Sequence, residues 1–276
     1  MDRMHEIRHA FTVDVEEWYH PLRFYRDTAA VETRRLRTGL DRITALLDER
    51  GVRGTFFWVA DTALAYPELV RALADAGHET GCHSFAHDHM VYDQTPEDFR
   101  AETARALDVL RDLTGRPVRA YRAPCFSVTS RSLWALDVLA ELGVTLDSSV
   151  FPVKNWRYGI PDHPRHPVPA AEGRLWEAPL SARTVGPFTF PAAGGAYFRI
   201  YPYRFTAANI RASAEPVVFY IHPWELDPEH PFVRIPWKPC ATHYVNLRRT
   251  EPRLRRLLAD FRFAPLGEVV AARRGA

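Results

Sequence analysis

The sequence predicts an α/β fold built around a parallel β-sheet, and two observations support this prediction. Short apolar runs typical of strands alternate with amphipathic segments typical of helices, and about five such units fit within the first half of the chain. Strands separated by helices of about 10–15 residues form right-handed βαβ crossovers, which make neighbouring strands parallel. A barrel and a large doubly wound sheet both accommodate this number of units.

The first half of the chain carries the clearest elements. Residues 10–15 and 54–59 are β-rich runs, and the second is apolar throughout, as a strand buried on both faces should be. Between them Leu40, Ile43 and Leu47 recur at helical spacing, and Gly51 ends the helix. Further predicted strands cover residues 78–82, 119–122 and 144–147, and the predicted helices cover residues 36–49, 67–77, 95–113 and 129–142.

The second half of the chain is less regular. Residues 151–214 include a proline-rich loop at 152–169. Regularity returns with an apolar strand at residues 216–221, and an amphipathic segment at about 251–261 is predicted to be the last helix. Neither an internal repeat nor an obvious linker divides the sequence, which favours a single domain.

The composition excludes several classes of protein. An apolar fraction of 46% excludes a disordered or collagen-like chain, and a net charge of +2 is too balanced for binding nucleic acid through bulk charge. The three cysteines are far apart, which suits a reducing compartment. The first residues lack the apolar core of a signal peptide, and no run approaches the ~18 apolar residues of a membrane helix. We therefore expect a cytoplasmic protein without a transmembrane segment.

Polar residues recur at the carboxyl ends of the predicted strands, where parallel α/β folds place their sites. The groups concerned are Asp14-Val15-Glu16-Glu17, His83-Ser84-Phe85-Ala86-His87, Arg122-Ala123-Pro124, Asp147-Ser148-Ser149 and His222-Pro223-Trp224. Each group alone is compatible with a structural role. Their repetition at one edge of the sheet predicts a functional site there.

Two histidines and two acids among these residues predict a metal centre. His83 and His87 are four residues apart, a spacing that directs both imidazoles to one side of a helical turn. Asp14 and Glu16 point to the same face of a strand. One acid then completes a three-ligand site, and the other can accept a proton from a water whose pKa the metal lowers toward ~7. Arg122 is a candidate ion-pair partner for that second acid.

These motifs resemble those of the NodB-homology polysaccharide deacetylases, carbohydrate esterase family 4. The resemblance is carried by Thr12-Val13-Asp14, His83-Ser84-x-x-His87, Arg122-Ala123-Pro124, Asp147-Ser148-Ser149 and Ile221-His222-Pro223. Other phrases resemble the exosortase-associated branch, found with exopolysaccharide gene clusters: Phe151-Pro152, Gly194-Gly195-Ala196-Tyr197-Phe198-Arg199 and His243-Tyr244-Val245-Asn246. The resemblance implies a distorted (β/α) barrel of about seven units. It also implies one catalytic domain over residues 1–276, with a family-specific portion at about 150–276.

The resemblance further implies a role for each site residue. It makes Asp14 the catalytic base, Arg122 the residue that orients Asp14, and His222 the general acid. His83 and His87 become ligands of a divalent metal, expected to be Zn²⁺, with Co²⁺ and Mn²⁺ as alternatives.

The sequence departs from the family at the first motif, where most members have two adjacent aspartates and this chain has Val15 in the second place. Strand alternation offers Glu16 as the replacement ligand, and Glu17 remains an alternative. Cys125 stands where many members have Tyr, and its backbone N–H is the expected oxyanion donor. The aromatic candidates for stacking on the sugar are Trp156, Tyr197 and Trp224, with a position in the core as the alternative for at least one of them.

The function that this resemblance implies is metal-dependent N-deacetylation of N-acetylated sugars, in a polysaccharide or its lipid-linked precursor, within exopolysaccharide biosynthesis. Two alternatives remain open at this stage. One is a small-molecule amidohydrolase similar to allantoinase. The other is a non-catalytic glycan-binding scaffold that has lost its metal through the change at Val15.

Overall fold

The computed structural model describes residues 7–155 and 157–275. Its strands are β1 (Arg8–Val15), β2 (Thr55–Trp58), β3 (Glu79–Cys82), β4 (Ala120–Tyr121), β5 (Leu146–Asp147), β6 (Val168–Ala170), β7 (Leu175–Glu177), β8 (Ala182–Val185), β9 (Phe188–Pro191), β10 (Val218–Ile221) and β11 (Arg262–Ala264). Nine of these strands form one sheet in the order β10-β1-β2-β3-β4-β5-β7-β6, with β11 paired to the beginning of β1. Strands β8 and β9 form a separate antiparallel hairpin.

The main sheet is a curled half-barrel, which confirms the predicted fold class. Its strands run parallel except for β6, which is antiparallel to β7. Over the described residues no ladder joins β6 back to β10, so the sheet curls without closing. Its parallel register brings the carboxyl ends of β1, β3, β4, β5 and β10 to one rim.

Most of the helices cover the outside of the sheet. They are α1 (His20–Arg23), α2 (Leu36–Asp48), α3 (Ala60–Ala65), α4 (Pro67–Asp75), α5 (Pro96–Thr114), α6 (Trp134–Glu141), α7 (Gly195–Ile200), α8 (Tyr203–Arg211), α9 (Trp237–Tyr244), α10 (Thr250–Asp260) and α11 (Leu266–Arg274). Over the described residues, none of them has both the length and the apolar character required to span a bilayer.

Strand alternation divides the apolar residues into two layers. Phe56 and Trp58 of β2 join the large core that packs under the outer helices, whereas Phe57 between them faces the inside of the half-barrel. Along β1, Phe11 and Val13 point outward and Ala10 points inward. The inward face of β1 therefore continues through Thr12 to Asp14 at the rim, as the alternation predicts.

Several predicted boundaries hold, and others need correction. Thr95 caps α5 by accepting the Asp98 N–H at 3.1 Å, and Gly115 ends that helix in the left-handed conformation. Helix α6 begins at Trp134 rather than near residue 129, because Ser132 Oγ accepts the Thr129 N–H and forms a turn first. The segment 250–260 is not the last helix, since β11 and α11 follow it.

A close approach between α2 and the turn after β10 helps to position the rim. That turn is a single 3-10 segment, Pro223–Leu226. A Cβ atom at Gly39 of α2 would lie 1.8 Å from the carbonyl oxygen of Pro223. Glycine is therefore required at this contact, which fixes the turn against the outer helix.

Candidate active site

A cavity of about 150 Å³ opens at the rim of the half-barrel. Among the predicted site residues, those that line it are Asp14, Glu16, His83, His87, Cys125, His222 and Trp224. Arg122 is fully buried and contacts Asp14 directly. The parallel sheet thus brings together residues that lie more than 200 positions apart in the chain.

Glu16, His83 and His87 form a buried cluster in which one ligand atom from each residue lies within 4.8 Å of the other two. Glu16 Oε2 is 2.9 Å from His87 Nε2. His83 Nδ1 is hydrogen-bonded to the carbonyl oxygen of Arg122 at 2.7 Å, which leaves Nε2 as its ligand atom. Burial lowers the pKa of His83 to about 4, so its imidazole is neutral at pH 7. Two imidazoles and a carboxylate suit a divalent cation.

The geometry that brings the two histidines together differs from the expected helical turn. Residues 83–89 form a non-helical loop, and both Ser84 and His87 have positive φ angles, of 67° and 54°. Ser84 Oγ accepts the His87 N–H at 3.1 Å and stabilises this loop. The imidazole centroids lie 5.0 Å apart. Positive φ values at non-glycine residues concentrate at functional sites, because the backbone strain must be compensated by the surrounding structure.

Glu17 lies outside this cluster. Its Oε2 accepts the backbone N–H of Arg35 at 2.9 Å, and its Oε1 accepts the hydroxyl of Tyr66 at 3.0 Å. Both carboxylate oxygens are therefore engaged by other elements. Of the two acids that follow Val15, only Glu16 faces the histidines.

Asp14 is held by a buried ion pair with Arg122. Arg122 Nη1 donates to Asp14 Oδ1 at 2.7 Å and also to Thr12 Oγ1 at 2.8 Å. The guanidinium lies 4.3 Å from the ring centroid of Phe57, and its remaining donors bind the carbonyl and hydroxyl oxygens of Ser148. Hydrogen bonds at all three guanidinium nitrogens and the ring of Phe57 therefore hold the guanidinium in place. Asp14 Oδ1 is thereby engaged, and Oδ2 lies 3.8 Å from His222 Nε2.

His222 occupies the opposite side of the cavity. Its Nδ1 contacts Glu225 Oε1 at 2.8 Å, and its Nε2 lies 3.7 Å from Glu16 and 3.8 Å from Asp14. Burial alone would lower the pKa of His222, but the hydrogen bond to Glu225 and the nearby carboxylates raise it to about 9. The imidazole therefore holds its proton at neutral pH and is suited to donate one.

Glu225 and Arg199 support His222, and neither was among the predicted site residues. Arg199 Nε donates to Glu225 Oε2 at 2.5 Å, and both side chains are completely buried. The other guanidinium nitrogens bind three backbone carbonyl oxygens at the end of α9, those of Thr242, His243 and Val245. The three carbonyl groups lie more than 40 residues after Arg199 in the chain, so no local sequence spacing indicates these contacts.

Two buried acidic side chains lie next to the loop that contacts Arg122. Asp147 of β5 and Glu177 of β7 are opposite each other in the parallel register, and both are completely buried. Burial raises the pKa of each carboxyl group. Asp147 also binds the hydroxyl and N–H of Ser149, next to the serine that holds Arg122. The pair thus supports the loop on which the guanidinium rests.

The remaining predicted residues have varied surroundings. Cys125 lines the cavity with a positive φ of 52°, and burial raises the pKa of its thiol to about 11. Tyr197 lines the cavity and shares a hydroxyl contact of 2.9 Å with Tyr158. Trp224 lines the cavity, is only 8% exposed, and stacks on His222 and His243. Trp156 lies outside the described residues.

Comparison with known proteins identifies two regions of the chain. Residues 30–146 match the family model for polysaccharide deacetylases, and residues 148–271 match a model described as a domain of unknown function. The boundary falls at the end of β5, so the second region includes β10, the turn Pro223–Leu226 and α9. Both regions contribute residues to the cavity.

Individual relatives agree with the first model. The peptidoglycan-N-acetylglucosamine deacetylase of Bacillus cereus is 23% identical over 119 residues, which cover 39% of this chain and 43% of that protein. The peptidoglycan deacetylase of Helicobacter pylori is 26% identical over 86 residues, which cover 31% and 29% of the two chains. The matched segments therefore span less than half the length of these curated relatives.

A solved structure extends the similarity to the whole fold. The crystal structure of a Mycobacterium smegmatis protein that is assigned as a polysaccharide deacetylase has a TM-score of 0.66 and 23% identity, and the match covers 96% of this chain and 89% of that one. The half-barrel is thus the fold of that structure. The chain is therefore similar to the polysaccharide deacetylases in residues 30–146 and in its overall fold.

Proposed function

We propose that this protein is a divalent-metal-dependent N-deacetylase that acts on N-acetylated sugars of a polysaccharide or of its lipid-linked precursor. The observation that carries the proposal is the buried cluster of Glu16, His83 and His87 directly beside Asp14 and His222. Two imidazoles and one carboxylate are a ligand set typical of catalytic Zn²⁺, which we propose as the metal. When bound, the metal would polarise the acetyl carbonyl group and lower the pKa of water.

The protein's own residues supply the proton transfers of the proposed reaction. Asp14 accepts a proton from the attacking water through Oδ2, while Arg122 holds Oδ1 in place. The Cys125 N–H donates to the acetyl oxygen as negative charge develops on it. His222 then donates its Nε2 proton to the departing amine. Water and the amide are thereby converted to acetate and a free amino sugar.

We further propose a place in exopolysaccharide biosynthesis, within the exosortase-associated branch of the family and in the cytoplasm. Support comes from the motifs around Tyr197 and His243, since residues from both motifs line the cavity. Residues of these two motifs would help to select a particular polymer, because the shape of a pocket and a few polar groups determine its specificity.

The decisive experiment measures acetate release from an N-acetylated chito-oligosaccharide together with the metal content of the purified protein. Asp14→Asn and His222→Ala should retain the metal and lose roughly 10²–10⁴-fold in kcat, the usual contribution of positioned proton transfer. Glu16→Gln should lose the metal, whereas Glu17→Gln, its matched control, should keep it. Ammonia release from a cyclic amide would instead favour the amidohydrolase. A metal-free wild-type protein without activity would favour the glycan-binding scaffold.

A further inference from the structure

Trp224 makes a direct polar contact with the metal cluster. Its indole Nε1–H donates a hydrogen bond to Glu16 Oε1 at 3.1 Å, and Glu16 Oε2 faces His87 at 2.9 Å. The two oxygens of the Glu16 carboxylate therefore have different surroundings. Oε1 accepts the indole N–H, and Oε2 faces the imidazole of His87.

We infer that Trp224 is a positioning residue that holds Glu16 as a single-oxygen ligand of the proposed metal centre. The inference rests on the proposed function and adds a specific role to it. A carboxylate that donates only Oε2 leaves a coordination position for water, which a catalytic site requires. Hydrogen bonds from outside the ligand set are the usual means of orienting metal-binding carboxylates.

This chain has Val15 where most members of the resembled family have a second aspartate, and this difference explains why the ligand Glu16 needs support. Val15 occupies the position that follows Asp14, and its side chain is buried in the core under the outer helices. The ligand is therefore the next residue along, just beyond the end of β1, and it has the longer glutamate side chain. A glutamate loses more rotamer freedom than an aspartate when it is fixed. A donor from outside the ligand set restricts that freedom before the metal binds.

The same indole also contacts the proposed acid. Its ring stacks on His222 with a centroid separation of 4.9 Å and on His243 with a separation of 4.2 Å, at interplanar angles of 21° in both cases. Trp224 also lies next in sequence to Glu225, which binds His222. One short turn thus orients the ligand Glu16 through the indole N–H and the acid through stacking and Glu225.

Trp224→Phe tests the hydrogen bond, because phenylalanine retains an aromatic ring for stacking and removes the N–H. The Zn²⁺ dissociation constant is measured by competition with a chromogenic chelator. We expect Trp224→Phe to weaken Zn²⁺ binding roughly 10–100-fold, the usual effect of losing an outer hydrogen bond to a ligand. The matched control is Trp18→Phe. Trp18 is also buried, and its Nε1–H binds the Thr33 carbonyl oxygen at 2.9 Å rather than a ligand.

The outcomes separate this inference from the proposed function. Wild-type affinity in Trp224→Phe, with a metal-binding wild type, would overturn the inference and leave the function intact. An equal loss in Trp18→Phe would also overturn it, since the effect would then reflect packing. A wild type that binds no Zn²⁺ at millimolar concentration would overturn both. If Trp224→Phe does not fold, incorporation of benzothienylalanine at position 224 retains the bicyclic ring without the N–H, and the same affinity criterion applies.

Discussion

Replacing Arg199 with methionine should destabilise the protein strongly, although Arg199 lies outside the cluster of Glu16, His83 and His87. The substitution keeps much of the side-chain volume and removes every polar contact of the guanidinium. Glu225 then remains completely buried with only His222 as its charged partner, and three carbonyl oxygens at the end of α9 lose their donors. Removing one partner of a buried ion pair costs about 3–5 kcal/mol, because the other charge is left uncompensated.

The assay is urea denaturation at pH 7, with Arg255→Met as the control. Arg255 forms an ion pair with Glu49 in which both side chains are 47% exposed, so its loss should cost only about 0–1 kcal/mol. For a domain of this size, a loss of about 3–5 kcal/mol corresponds to a decrease in Tm of roughly 6–20 °C.

A double substitution identifies the physical cause. If the uncompensated charge on Glu225 is responsible, Arg199→Met combined with Glu225→Gln should be more stable than Arg199→Met alone. If Arg199→Met is no more destabilising than Arg255→Met, the reasoning about the buried pair is wrong. If the double variant is less stable than the single one, packing rather than charge explains the loss.

Three further predictions concern the scaffold. Glu177→Gln should increase stability at pH 8 and reduce its pH dependence, measured by urea denaturation from pH 4.5 to 8. The contribution of this acid pair to stability should fall over this range, because burial raises the carboxyl pKa values of Glu177 and Asp147 and the unfolded chain releases the proton first. Gly39→Ala should cost about 1–3 kcal/mol and lower kcat, because the new Cβ displaces Pro223; unchanged values for both would refute this. Thr95→Ala should cost about 1 kcal/mol by thermal denaturation with no change in kcat, because it removes only the cap of α5.

The location of the site was predictable because it depends on a regular feature, the parallel sheet. Alternation along β1 places Asp14 on the inward face, and the shared rim brings His222 to it from the other half of the chain. Neither inference requires more than strand periodicity and the rule that strand ends meet. Glu16 follows the same reasoning, although β1 ends at Val15.

The parts that could not be predicted depend on irregular backbone or on distant contacts. The pairing of His83 with His87 arises from a loop with positive φ angles, whereas their spacing suggested a helical turn. Arg199 binds carbonyl groups that follow it by 43–46 residues, and no periodicity reports such a contact. The hydrogen bond from the Trp224 N–H to Glu16 joins residues 208 positions apart, and no periodicity indicates it either.

The pairing of β1 with β10 has a consequence for synthesis on the ribosome. Val13 pairs with Ile221, so one edge of β1 acquires its partner only after about 200 further residues have been synthesised. Until then, the N–H and C=O groups along one edge of β1 are unpaired, and such edges favour aggregation when the strand has apolar side chains. Contacts this far apart in sequence also slow folding. The emerging chain should therefore depend on chaperones, and truncation before residue 218 should remove β10, β11 and the proposed acid His222.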